Sequence, residues 1–179
     1  MGAGFGRGRH SFVRIGIPRP RTANTTVQRL ELKIPPVAVF LVCGAAMWLI
    51  HKYVPQAAIH IPRSLAVTIG FTLAAAWLGV KAILDFRRNS TTVHPQYPEK
   101  ASTVVADGVY RYTRNPMYLA LAVLLLAWAV KLGNVAAFAG VPLLVFYLTQ
   151  FQIKPEERAL AEKFGAPYRE YMQRARRWV

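Results

Sequence analysis

Acidic side chains are scarce in this 179-residue chain. Eight Asp and Glu stand against 23 Lys and Arg, a formal net charge of +15. Cys43 is the one cysteine, so no intrachain disulfide and no cysteine-built metal cluster can form. It lies inside an apolar run and reads as a small apolar residue, not a nucleophile. His10, His51, His60 and His94 are scattered, with no pair at helical spacing, and no metal site is expected. CxxC, HExxH, GxGxxG and P-loop patterns are all missing. Charged residues make up only 17% of the chain and hydrophobic residues 54%. A basic soluble protein could bind nucleic acid. Here the cations crowd positions 1–33, 81–114 and 154–179, with apolar runs between. That segregation points to anionic lipid headgroups as partners, and not to nucleic acid.

The apolar runs are Ile34–Ile50, Ser64–Leu84, Met117–Val130 and Val135–Phe151. They predict an all-α integral membrane protein with about four transmembrane helices. Trp48, Tyr53 and Trp128 stand near run ends, as interface anchors do. Small residues recur in the second run (Gly70, Ala74, Ala75, Ala76, Gly79) and suit close helix packing in lipid. The third and fourth runs are joined by a few residues and should form a helical hairpin. Pro142 should kink the fourth. From Ile153 to Arg176, apolar residues at Leu160, Phe164, Tyr168 and Tyr171 alternate with charges, the pattern of an amphipathic helix broken near Gly165.

Lys and Arg set the orientation. The N-terminal arm, the long connector before Met117 and the tail are rich in them, whereas the short connectors carry only Lys52, Arg63 and Lys131. A multi-pass protein with both termini in the cytoplasm follows, in a bacterial inner membrane. The expected organisation is a basic mobile arm over 1–33, a membrane domain over 34–152 that includes a cytoplasmic connector at 86–116, and a cytoplasmic amphipathic tail over 153–179. The basic region is too long for a signal peptide.

Two polar clusters fall on the same side. One is Gly108 to Tyr118, with rings at Tyr110, Tyr112 and Tyr118, cations at Arg111 and Arg114, and the amide of Asn115. The other is Pro155-Glu156-Glu157-Arg158. Adjacent helical side chains point about 100° apart, so only one glutamate can face a given pocket. Carboxylates accept from ribose hydroxyls or ammonium groups, and tyrosines pack on flat heterocycles. The set suits a zwitterionic, nucleotide-like cofactor. Composition alone equally allows headgroup-binding arginines, an aromatic belt and acids that complement a helix dipole.

At these residues the chain resembles a known family. The order is Val104-Val105, Gly108-x-Tyr110, Arg114-Asn115-Pro116-x-Tyr118, an apolar hairpin, Glu156-Glu157-x-x-Leu160, then Phe164-Gly165-x-x-Tyr168-x-x-Tyr171. It resembles the isoprenylcysteine carboxyl methyltransferases, a broad group with bacterial relatives that is similar to phospholipid methyltransferases. The likeness runs from about Thr91 to the end.

The resemblance implies methyl transfer from S-adenosylmethionine to a lipophilic acceptor at the cytoplasmic membrane face. The acceptor would be an isoprenylcysteine-like carboxylate or thiol, or a phospholipid, entering from the bilayer. It also implies cofactor contacts at Gln96, Ser102, Thr103, Val104, Val105, Tyr110, Asn115, Pro116, Met117, Tyr118 and Glu156, and a substrate contact at Gln152. Two positions depart from the eukaryotic pattern. Asn115 stands where those enzymes have His, and Gln152 where they have Arg. Neither carries a positive charge, so ionic grips on the cofactor carboxylate and on an acceptor carboxylate weaken. No catalytic base is assigned. The alternatives are an NADPH-dependent sterol-reductase-like membrane enzyme and a non-enzymatic membrane scaffold.

Overall fold

Two prolines open the first helix, α1 (Pro36–Tyr53), where a missing N–H costs nothing. Pro55–Ala57 makes a short 3-10 turn, and α2 (Ser64–Arg88) follows. This computed structural model describes residues 34–62, 64–88 and 104–179. The next described element is a 3-10 turn over Gly108–Arg111, leading into α3 (Pro116–Leu132). Gly133 ends α3 in the left-handed region at φ 57°, the usual way to turn the chain after a helix. A 3-10 turn (Ala136–Ala139), α4 (Gly140–Leu148), a π-helical turn (Thr149–Ile153) and α5 (Lys154–Phe164) then run on without a break. Gly165, at φ 62°, separates α5 from α6 (Ala166–Arg174). Among the described residues there is no strand, only two isolated bridges.

The protein is an all-α membrane protein. Among the described residues, three helical stretches are long and apolar enough to cross a bilayer: Pro36–Tyr53, Ser64–Arg88 and Ala136–Phe164. α3 is apolar but shorter, at 17 residues. Leu41, Val42, Leu65, Leu73, Trp77, Val80, Leu143 and Phe146 are all more than half exposed. So many large apolar side chains turned outward make sense only against lipid. The core between the helices is built from Cys43, Met47, Leu125, Leu144, Leu148 and Ile153.

One expectation needs adjusting. The tail helix does not start afresh after the fourth run. It continues it, so the 29-residue stretch Ala136–Phe164 is about 43 Å long and exceeds a ~30 Å hydrocarbon core. The charges of Lys154, Glu156, Glu157 and Arg158 put the excess, α5, in the aqueous interface. Pro142 falls in the first turn of α4, directly after the 3-10 turn, where a proline is tolerated.

The two ends of the bundle differ. At one end the short connectors are pinned together. Ile59 N donates to Gly133 O at 2.8 Å, Val135 N to Ala57 O at 2.9 Å, and buried Asn134 Nδ2 to Val54 O at 2.8 Å. The other end gathers residues 104–116, α5, α6 and the tail.

Candidate active site

Asp85, on the last turn of α2, organises the connector. It directly follows the second apolar run, yet it is 5% exposed. Its Oδ1 pairs with Lys81 Nζ one turn earlier, at 2.5 Å, and its Oδ2 accepts from Val109 N at 3.0 Å. Gly108 makes that approach possible. Its φ is +62°, and a Cβ there would lie 1.9 Å from Asp85 Oδ2. The anchored turn packs Val105, Val109 and Tyr110 against Ala82, with Leu78, Phe86 and Met117 around them. The Tyr110 ring tilts on Phe86 at 5.8 Å between centroids. Its backbone oxygen accepts from Tyr171 Oη at 2.8 Å, tying α6 to the turn. Burial, then the neighbouring Tyr171, Asp85 and Glu156, hold the Tyr110 phenol protonated well above its ordinary range.

The two glutamates at the start of α5 have separate fates. Glu157 is 9% exposed and bound by two arginines. Arg114 approaches its Oε1 with Nη2 at 2.8 Å and Nε at 3.2 Å. Arg177 reaches Oε2 with Nη2 at 2.6 Å and Oε1 with Nε at 3.1 Å. Burial alone would raise the Glu157 carboxyl, but hydrogen bonds from Arg177 and Arg114 outweigh it and hold it below its usual range. Glu156 accepts instead from the Tyr118 hydroxyl on α3. Among the described residues it pairs with no cation. It keeps some open surface, yet protein crowds its carboxyl. That burial pushes it up to about 8, the Glu157 charge adds to the rise, and the Tyr118 hydrogen bond opposes it.

The sequence-derived candidates therefore fall into groups. Tyr118 and Glu156 meet. Val104 packs against the Tyr168–Tyr171 cluster, while Val105, Tyr110 and Met117 line the apolar flank beside α2. Pro116 is fully buried at the start of α3. Asn115 turns to the tail, donating from Nδ2 to Arg177 O at 2.9 Å. Gln152 is 0% exposed and donates from Nε2 to Ile34 O at 2.8 Å. Its Oε1 has no partner among the described residues. Gln96, Ser102 and Thr103 lie outside the described residues. Arg114 is no headgroup contact: besides Glu157 it holds Met172 O at 2.7 Å and Ala175 O at 2.6 Å. Asp85, Arg177 and Trp178 are not among the sequence-derived candidates. Of these, Asp85 alone carried a signal, as an acid set directly after the second run.

Residues 64–167, more than half of the chain, match the phospholipid methyltransferases. The chain belongs to the phospholipid methyltransferase family. Membership supports a membrane methyltransferase. An uncharacterized protein of Haemophilus influenzae is 49% identical over 63 residues, which is 35% of this chain and the whole of that protein. The protein-S-isoprenylcysteine O-methyltransferase of Schizosaccharomyces pombe is 24% identical over 106 residues. That match covers 59% of this chain and 45% of the yeast enzyme, so the chain spans less than half the length of that relative. No solved structure matches.

Proposed function

We propose that this family member transfers a methyl group from S-adenosylmethionine to a lipophilic acceptor at the cytoplasmic face. The observation that carries the reading is Glu156. It is the one carboxylate at this end of the bundle, among the described residues, that faces a tyrosine and not a cation. A buried carboxylate without a cation suits a ligand that brings hydroxyl or ammonium donors. The donor set therefore fits the cofactor. Bound there, S-adenosylmethionine would supply an electrophilic sulfonium methyl. Glu156 would accept the ligand's hydrogen bonds, and Tyr118 would hold that carboxylate in one orientation. Val105, Tyr110 and Met117 would give the heterocycle an apolar wall and exclude water. Val104, Ser102, Thr103 and Gln96 belong to the same proposed contact set, while Asn115 and Pro116 act in it by shaping the start of α3.

Gln152 bears on the acceptor. Only an NH₂ group can donate to Ile34 O, so the atom left over must be the amide oxygen. A free amide oxygen receives a donor and repels a carboxylate. An acceptor with an N–H or O–H group, such as a phospholipid amine, is favoured over the carboxylate of a prenylated cysteine. Methylating such an acceptor forms its bond to the methyl carbon, breaks the sulfonium S–C bond and frees one proton, which passes to water at the membrane interface; positioning beside the donor lowers the barrier, and no side chain is given the role of base.

Calorimetric titration of the purified protein with S-adenosylmethionine tests the cofactor. Binding is expected, and Tyr118→Phe should weaken it about tenfold, since hydrogen bonds to charged groups contribute about 1.5–3 kcal/mol. No heat of binding to the unaltered protein would defeat the reading. Labelled methyl transfer into extracted lipids, with mass identification of the product, tests the acceptor. For orientation, a reporter fused after Val179 should be active only on the cytoplasmic side; an outward-facing reporter would overturn the proposed topology.

A further inference from the structure

The segment after α6 turns back and touches both halves of the site. Arg114 N donates to Arg176 O at 2.8 Å, and Asn115 Nδ2 and Thr113 Oγ1 approach Arg177 O at 2.9 and 3.4 Å. Two residues on from Arg176, Trp178 Nε1 donates to Thr149 Oγ1 at 3.1 Å, where the π-helical turn begins. Between these anchors the Arg177 guanidinium grips both oxygens of Glu157. Glu157 adjoins Glu156 in sequence, and like charges so close raise each other's cost of ionisation. Arg114 reaches only Oε1, so Oε2 depends on Arg177.

We propose that Arg177 is a positioning residue for the methyl-donor site. It holds and neutralises Glu157, so that Glu156 alone presents an available carboxylate beside Tyr118. This rests on the reading of Glu156 as a donor contact. Trp178 supports it by fixing the returning segment against the π-helical turn.

The test is a double-mutant cycle read by S-adenosylmethionine titration on the full chain in lipid nanodiscs. Arg177→Ala is expected to weaken binding about tenfold in the native background, the scale of a lost charged partner. In the Glu157→Gln background the same change should cost less than about twofold, because no charge remains to be held. An equal loss in both backgrounds marks a merely structural residue and overturns the proposal. If Arg177→Ala does not fold, Arg177→Lys, which keeps the cation but loses the two-pronged grip, is read the same way. Hydrogen exchange without cofactor separates the two claims. Amides of residues 110–118 and 154–158 should exchange faster in the Arg177 variant, and unchanged exchange there overturns the positioning role. Absence of cofactor binding by the unaltered protein defeats the donor-site reading instead.

Discussion

Glu156→Ala is expected to reduce S-adenosylmethionine affinity by about a hundredfold or more. Removing one partner of a buried, hydrogen-bonded charge pair, here the pair Glu156 would form with the ligand's ammonium, costs about 2–5 kcal/mol, and each 1.4 kcal/mol is about tenfold. Here the change removes the carboxylate that has no internal cation and leaves the Tyr118 hydroxyl without its acceptor. Glu157 cannot substitute, because Arg114 and Arg177 occupy both its oxygens. The protonation of Glu156 adds a second signature. Its carboxyl is raised to about 8, chiefly by burial. Below that pH the free protein carries it protonated, so binding a ligand that needs the ionised form must release a proton. Affinity should therefore rise with pH up to about 8 and level off above. Calorimetry in buffers of different ionisation enthalpy reads the released proton directly, and Glu156→Gln should abolish both the release and the slope. A pH-independent affinity in the native protein would remove Glu156 from the site. The same shift has a consequence for stability. The folded state holds this proton between the ordinary glutamate range and about pH 8, while the unfolded chain has lost it. Its contribution thus favours folding at low pH and declines as pH rises through that window.

Gly108→Ala is expected to destabilise the protein by about 3 kcal/mol. A left-handed backbone costs a residue with a Cβ about 1–2 kcal/mol, and overpacking a tight contact about 1–3 more. The contact is unforgiving. The new Cβ would lie 1.9 Å from Asp85 Oδ2, and that carboxylate cannot swing away without releasing Val109 N and disturbing Lys81. Thermal melting in detergent should show a midpoint lower by roughly 6–12 °C, on the scale of about 2–4 °C per kcal/mol for chains of this size. The connector carries Tyr110, so cofactor affinity should fall with it. A variant that melts like the native protein would show that the Asp85–Gly108 contact does not hold the connector.

The motif residues were legible because local chemistry marks them. Pro116 is placed to open a helix, Gly165 to break one, and Glu156 and Glu157 begin a polar turn after an apolar run. Their division of labour was half legible. Helical geometry requires neighbouring glutamates to face different ways, but the choice between them depends on which arginines arrive from elsewhere. Arg114 lies 43 residues from Glu157 along the chain and Arg177 lies 20 away. The role of Asp85 was illegible for the same reason. On α2 it looks like the first charge outside the bilayer, and only the returning connector, 24 residues later, covers it. The continuous path from Ala136 to Phe164 also escaped the sequence, because polarity changes at residue 153 while the backbone hydrogen bonding does not stop there.

By itself, then, the sequence determined the class and the ingredients. Its apolar runs are long and almost free of charge, as lipid-spanning segments are, and its polar clusters stand at the ends of those runs. These features depend on spacing along one chain. The tertiary structure decided which polar groups cancel one another and which stay available. Arg114, Glu157 and Arg177 satisfy one another, and Asp85 is taken up by Lys81 and Val109. Glu156 is left with a tyrosine and no cation. That outcome follows from long-range electrostatics, because the state of a buried charge is set by partners that only folding brings within hydrogen-bond distance.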